Sequence, residues 1–130
     1  MSNTKTVVVN ITEALLPALN QACRDLGLIF LANQTKYQTH EGRRDCVWAI
    51  KMDGQRHEIG VVAKHGVAGV YDLSADFYRC ERLRQTVGDK FERLTARMKV
   101  NESKARLYER GAREIVEEVF DDRIRLVATY

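Results

Sequence analysis

Between Asp45 and Leu73 the chain reads DCVWAIKMDGQRHEIGVVAKHGVAGVYDL, three β-rich runs separated by two glycine-bearing turns. Alternation restricts how such runs pair, because a slip of one residue turns every side chain to the opposite face of the sheet. Asp53-Gly54 is a strong hairpin signal, since both central positions of a type I′ turn require positive φ. With Met52 opposite Gln55, Ile50 faces His57, Trp48 faces Ile59 and Cys46 faces Val61, so the large apolar groups share one face. Lys64-His65-Gly66 reads as a three-residue turn with Gly66 left-handed, which sets Val61 opposite Gly69 and Ile59 opposite Tyr71. The expectation is a three-stranded antiparallel meander with one apolar face, and that face needs a cover.

The following segment supplies one. Phe77, Cys80, Leu83, Val87, Phe91, Leu94 and Met98 recur at steps of three and four, predicting one long amphipathic helix through about Lys99 despite Gly88. Ser74 is its candidate N-cap, with Asp76 in the first turn favouring the helix dipole. Upstream, Lys5 to Asn10 predicts a strand. Leu15, Leu19, Ala22 and Leu26 predict a shorter helix behind Thr12, its start displaced by Pro17 and its end at Gly27. Leu28 to Ala32 reads as a short strand, and Asn33 to Arg44 as a strand extension plus a mobile exposed loop. Asn101 reads as the N-cap of a further helix ended by Gly111. Arg113 to Phe120 and Arg123 to Tyr130 form a closing hairpin turning at Asp121-Asp122. The fold class is therefore α+β: an antiparallel sheet with a central meander packed by a long helix, a shorter N-terminal helix and a C-terminal β-hairpin, in one domain over residues 1–130.

With 130 residues, 45% of them hydrophobic and 30% charged, the chain is long enough to bury a core without metal or disulfide staples. No segment approaches the roughly 20 apolar residues of a membrane span. The first residues lack the apolar run and small-residue cleavage site of a signal peptide, so a cytoplasmic location is expected. Cys23, Cys46 and Cys80 are widely spaced with no C-x-x-C pair, and read as small buried hydrophobes.

No constellation specifies a reaction. Gly60, Gly66 and Gly69 form no phosphate loop, and no G-x-S-x-G elbow is present. His57-Glu58 lacks the second histidine of H-E-x-x-H, and His40, His57 and His65 have no helical i, i+4 partner, so neither a metal nor a cofactor is expected. Asp72 and Asp76 straddle a strand-to-helix junction and could share acid-base work or a metal, but a carboxylate at a helix start has a structural role of its own. The sharper feature is basic. Projected on one continuous helix, Arg79, Arg82, Lys90, Arg93 and Arg97 fall in one sector beside the apolar stripe, with only Asp89 placed to pair with Arg93 at i, i+4. The 33–44 segment adds Lys36, Tyr37, His40, Arg43 and Arg44, on a surface of the kind that carries binding residues. A net charge of +3 does not by itself announce nucleic acid.

Taken in order, several passages resemble an uncharacterised domain family known from cyanobacteria, a conserved hypothetical plastid reading frame and some bacteriophages. They are the helix ending in Leu26-Gly27, Gly42-Arg43-Arg44 before Cys46, Glu58-Ile59-Gly60, Tyr71-Asp72-Leu73 running to Asp76-Phe77-Tyr78, and the closing Ile124-Arg125-Leu126. The chain departs from that family's aromatic-rich helix start and has a shorter final turn. The resemblance implies a small α+β domain and transfers no activity and no residue role.

The reading that follows is a non-enzymatic interaction domain, an adaptor or modulator docking a protein partner by its charged helix face or by an exposed sheet edge. The alternative is a nucleic-acid-binding module using the basic helix face on phosphates, joined by Lys36, Arg43 and Arg44. A metal-dependent enzyme centred on Asp72 and Asp76 ranks third. Neither the partner's identity nor the oligomeric state is specified.

Overall fold

The computed structural model describes residues 4–121 and 123–130. Strand β1 (Lys5–Thr12) leads through a single 3-10 turn into helix α1 (Leu16–Asp25), which starts with Pro17 in its first turn, where a missing N–H costs nothing. Strand β2 (Ile29–Leu31) follows Gly27, whose φ of +75° ends the helix in the left-handed region. Two short strands, β3 (Lys36–Thr39) and β4 (Gly42–Asp45), precede the meander of β5 (Trp48–Lys51), β6 (Ile59–Ala63) and β7 (Val70–Ala75). Helices α2 (Glu81–Val87) and α3 (Glu92–Glu109) come next, then strands β8 (Glu114–Phe120) and β9 (Arg123–Thr129). The fold is α+β, with a five-stranded antiparallel sheet in the order β1-β7-β6-β5-β2 and separate β3-β4 and β8-β9 hairpins.

The meander forms with the expected faces and a different register. Ile50 pairs with Ile59 and Trp48 with Val61, two residues beyond the expected match, while Val61 pairs with Leu73 and Ile59 with Ala75, four residues beyond it. Both shifts are even, so the same side chains still point inward. The first shift arises because Asp53-Gly54 is not a two-residue type I′ turn. Of the two, only Gly54 has positive φ, and residues 52–58 form a longer connection. Residues beyond the turn are held elsewhere: the Gln55 side-chain oxygen accepts from Leu83 N–H at 3.4 Å, and His57 Nδ1 donates to the Asp76 carbonyl at 2.9 Å. The second arises because the expected turn is extended. Gly66 is left-handed as expected, but Gly69 is too, and strand pairing begins only at Val70.

The single long helix is not formed. Ser74 lies within β7, Phe77 and Cys80 precede the first helix of the pair, and Leu83 and Val87 on α2 and Leu94 and Met98 on α3 carry the apolar stripe across an elbow at Gly88 and Phe91, with φ of +92° and +61°. The Glu92 carboxylate folds back over this elbow and accepts from Asp89 N–H at 3.1 Å and Lys90 N–H at 2.7 Å. Those bonds hold its carboxyl below the ordinary range, together with one from its own N–H, the largest contribution. No break occurs near Val100. Asn101 sits mid-helix and donates to Asp25 on α1 at 3.0 Å rather than capping a new helix. Leu19, Ile50, Ile59, Leu73, Leu83, Leu94 and Met98 lie in the core between the sheet and the helices. Trp48 is partly buried, edge-on to Tyr71 at 5.0 Å and 6.2 Å from Phe30, and Phe91 packs on Phe77.

The opposite face of the sheet is covered by the β3-β4 hairpin, where a mobile loop is expected from the sequence. The Tyr37 ring lies on Gly60 so closely that an added methyl there would meet it at 2.4 Å, and its hydroxyl donates to Ser74 Oγ at 2.8 Å. Tyr37 and Thr39 are buried, so the alternation of this short strand has a structural use.

Candidate functional site

The sequence places five basic residues on one helix face, and the elbow disperses them. Arg79 precedes α2 and stacks its guanidinium on the Tyr78 ring at 5.3 Å. Arg82 lies on α2 beside the Gly54 turn, Lys90 is in the elbow, and Arg93 and Arg97 begin α3. Arg97 is withdrawn from any surface role. Its Nε donates to Asp25 at 2.9 Å, and both terminal nitrogens bond Glu117 on β8. Lys104 joins the same carboxylate. These donors, Arg97 first and then Lys104, hold the Glu117 carboxyl down at about 2. Burial pushes the Asp25 carboxyl up, but hydrogen bonds from Gln21, Asn101 and Arg97 outweigh it and leave it below the ordinary range. Arg97 thus joins α1, α3 and the final hairpin. The expected Asp89 partner, Arg93, is replaced by Arg84, which pairs with both Asp89 and Glu81.

The candidate residues of the 33–44 segment are brought together on the β3-β4 hairpin with unequal availability. Tyr37 is buried, Lys36 pairs with Asp45 at 2.9 Å and Arg44 with Glu41 at 3.5 Å. Arg43 lines an open polar hollow of about 400 Å³ with Gln38, Arg56 and Glu58. His40, at the hairpin tip, lies against Tyr78 with ring centroids 4.5 Å apart.

Asp72 and Asp76 are both buried and both committed to backbone. Asp72 Oδ1 accepts from Val9 N–H at 3.0 Å and Asn10 N–H at 3.2 Å, at the irregularity where β1 slips against β7 and Asn10 takes φ of +52°. Its other oxygen lies 3.7 Å from Lys64 Nζ. Asp76 accepts from His40 N–H and from Tyr78 N–H, each at 2.9 Å, tying the hairpin tip to the end of β7. Each buried carboxylate is satisfied by two backbone donors that it ties in place, a sufficient physical reason for both. Among the described residues no three His, Cys, Asp or Glu side chains are placed to hold a metal ion.

Another hollow lies where β1 meets the elbow. A groove of about 930 Å³ runs along Lys5, Thr6, Val7 and Val8, floored by Ala75, Phe77 and Phe91 and rimmed by Arg84, Asp89 and Lys90. β1 pairs only with β7, so its outer edge has no neighbouring strand among the described residues, and Val8 is 64% exposed on it. The slip in β1 begins after Val7, which limits regular edge geometry to Lys5, Thr6 and Val7, three of the four β1 residues that line the groove. Lys5 and Lys90 have no acidic partner among the described residues, whereas Arg84 is shared by two carboxylates. Lys90 and a sheet edge are both visible in the sequence, but nothing local joins them. The Val7-Val8-Val9 run and the Gly88 interruption are the only local signals of this groove.

Among the described residues no helix is long and apolar enough to cross a membrane. Comparison of the chain with protein-family models, with curated proteins and with solved structures gave no match.

Proposed function

We propose that this domain is a non-enzymatic protein-interaction module that receives an extended peptide segment of a protein partner along the outer edge of β1. The observation that carries this reading is the coincidence of an unpaired strand edge with an apolar groove at Lys5–Val8. Strand addition obtains affinity from main-chain hydrogen bonds and specificity from pockets for alternate side chains. Here Val7, Val8 and Phe77 offer the apolar surface, and Lys5 and Lys90 offer positive charge at the rim. A segment with alternating apolar residues and at least one carboxylate fits that chemistry. The dispersal of the basic face and the use of Arg97 inside the fold favour this reading over a phosphate-backbone surface, which needs several cations along one track. The commitment of Asp72 and Asp76 to backbone donors favours it over acid-base or metal chemistry.

A random-peptide display selection on the full chain, followed by NMR titration of the enriched peptides, tests this proposal. Acidic, alternating apolar peptides are expected, shifting the amides of Lys5 to Val8 and weakened about tenfold by the Lys5→Glu/Lys90→Glu double variant, since rim charges steer association. Selected peptides that shift another surface, or a selection that enriches nothing, would sink the proposal.

A further inference from the structure

The face of the final hairpin turned away from the helix is exposed and mixes apolar with charged side chains. One face of β8-β9 holds Ile115, Glu117, Leu126 and Ala128 toward α3, as the bonds from Arg97 and Lys104 to Glu117 require, while Val119 and Ile124 at the turn end of that face are exposed. The other face consists of four cross-strand pairs: Glu114 with Thr129, Val116 with Val127, Glu118 with Arg125, and Phe120 with Arg123. It has no cover among the described residues. Val116 is 47%, Phe120 52% and Val127 38% exposed, on a two-stranded sheet that has little stability of its own.

We propose that this face is a dimer interface and that its occupant is the same face of a second copy. The argument is charge complementarity. The acidic side chains of the face lie on β8 and the basic ones on β9, and each pair within the hairpin is already complementary: Glu118 bonds Arg125, whose guanidinium also lies over the Phe120 ring at 5.2 Å. A two-fold axis parallel to the strands lays β8 of one copy over β9 of the other at the same level. Each residue then meets its own cross-strand partner type from the other chain. Glu118 lies over Arg125 twice, Val116 over Val127 twice, and Phe120 beneath Arg123 twice, with no like charges opposed. A two-fold axis across the strands would instead stack β8 on β8 and bring acidic strands together, so the parallel axis is the one the sequence fits. Eight side chains per copy fall short of the roughly 20–30 residues a side in a stable interface, so the dissociation constant is expected on the order of 100 μM.

Sedimentation equilibrium of the full chain over about 10 μM to 1 mM tests this, in a range bracketing that dissociation constant. The weight-average mass should rise from the 14.9 kDa monomer toward twice that value. Glu118→Arg and Arg125→Glu should each remain monomeric to the highest concentration, and an equimolar mixture of the two should regain the dimer, because only the mixed pair restores opposite charges at both crossings. Isotope-filtered NMR on mixed labelled and unlabelled parent protein, which needs no variant to fold, should show intermolecular contacts between Val116 and Val127. A chain monomeric throughout would overturn the proposal. So would variants that dimerise like the parent, a mixture that stays monomeric, growth beyond a dimer, or filtered spectra without that contact.

Discussion

Glu117 shows how a single carboxylate can be placed by partners far away in sequence. Arg97 and Lys104 reach it from α3, and their hydrogen bonds depress its folded-state value to about 2 from an ordinary 4.5. A depressed carboxylate stabilises the fold above its unfolded value and loses that contribution as pH falls through the folded one. Glu117→Gln should therefore lower Tm at pH 7 by about 3–6 °C, the scale of ~1 kcal/mol for a partly exposed ion-pair network. The gap between parent and variant should stay constant above pH 5 and close as pH falls from about 4.5 toward 2, as followed by circular dichroism melts. A gap independent of pH would remove the ion pair as its cause. None of this was legible in the sequence, where Arg97 reads as one more exposed cation, because its partners are 72 and 20 residues distant. A glycine inside a strand often marks the close approach of another group, and at Gly60 that group is the Tyr37 ring. Of the three cysteines expected to be buried, Cys23 and Cys80 are, with burial pushing the Cys23 thiol up to about 12, whereas Cys46, beside the β3-β4 hairpin, is only partly buried.

At the scale of elements, periodicity was a good guide to which residues face inward and a poor guide to continuity. Phe77 to Met98 keep a helical repeat because α2 and α3 cover the same sheet face on either side of the elbow, and a repeat cannot show whether the backbone bends between its members. Gly88 was the visible warning. Its φ of +92° is strained for any other residue, and an added methyl would meet the Glu92 carboxylate at 2.4 Å. Gly88→Ala should accordingly cost about 1–3 kcal/mol in urea unfolding, through backbone strain and loss of the Glu92 bonds to Asp89 and Lys90. A neutral or stabilising effect, as expected in a continuous helix, would contradict the elbow. The meander was legible for a related reason: alternation determines faces, whereas register depends on turn length. Backbone groups of α2 and the β3-β4 hairpin hold the residues of the first turn, Leu83 N–H on the Gln55 side chain and the Gln38 carbonyl on Glu58 N–H, and neither is local to it.

For the whole molecule, the distribution of charge decides more than its net value of +3. Arg84 and Arg97 are neutralised within the fold, Arg79 lies on Tyr78, and Lys5 and Lys90 flank a groove with an apolar floor. What remains on the former helix face is Arg82 and Arg93, on different helices either side of the elbow. Two or three dispersed cations release few counterions from a nucleic acid, and each phosphate contact contributes a slope of only about −0.9 in log affinity against log salt. The domain should therefore bind short single-stranded or duplex probes no better than about 10 μM at physiological salt, measured by fluorescence anisotropy. The discriminating variant must spare Arg97, since reversing that charge would break the tie between α1, α3 and β8 and test the fold instead. Arg82→Glu/Arg93→Glu leaves every ion pair of the described residues intact. If the parent binds below 1 μM and this double variant, still folded by circular dichroism, does not, the phosphate-backbone reading displaces the peptide-docking one. If anisotropy stays flat for both while peptides shift the Lys5 to Val8 amides, the β1 edge is where the molecule meets its partner.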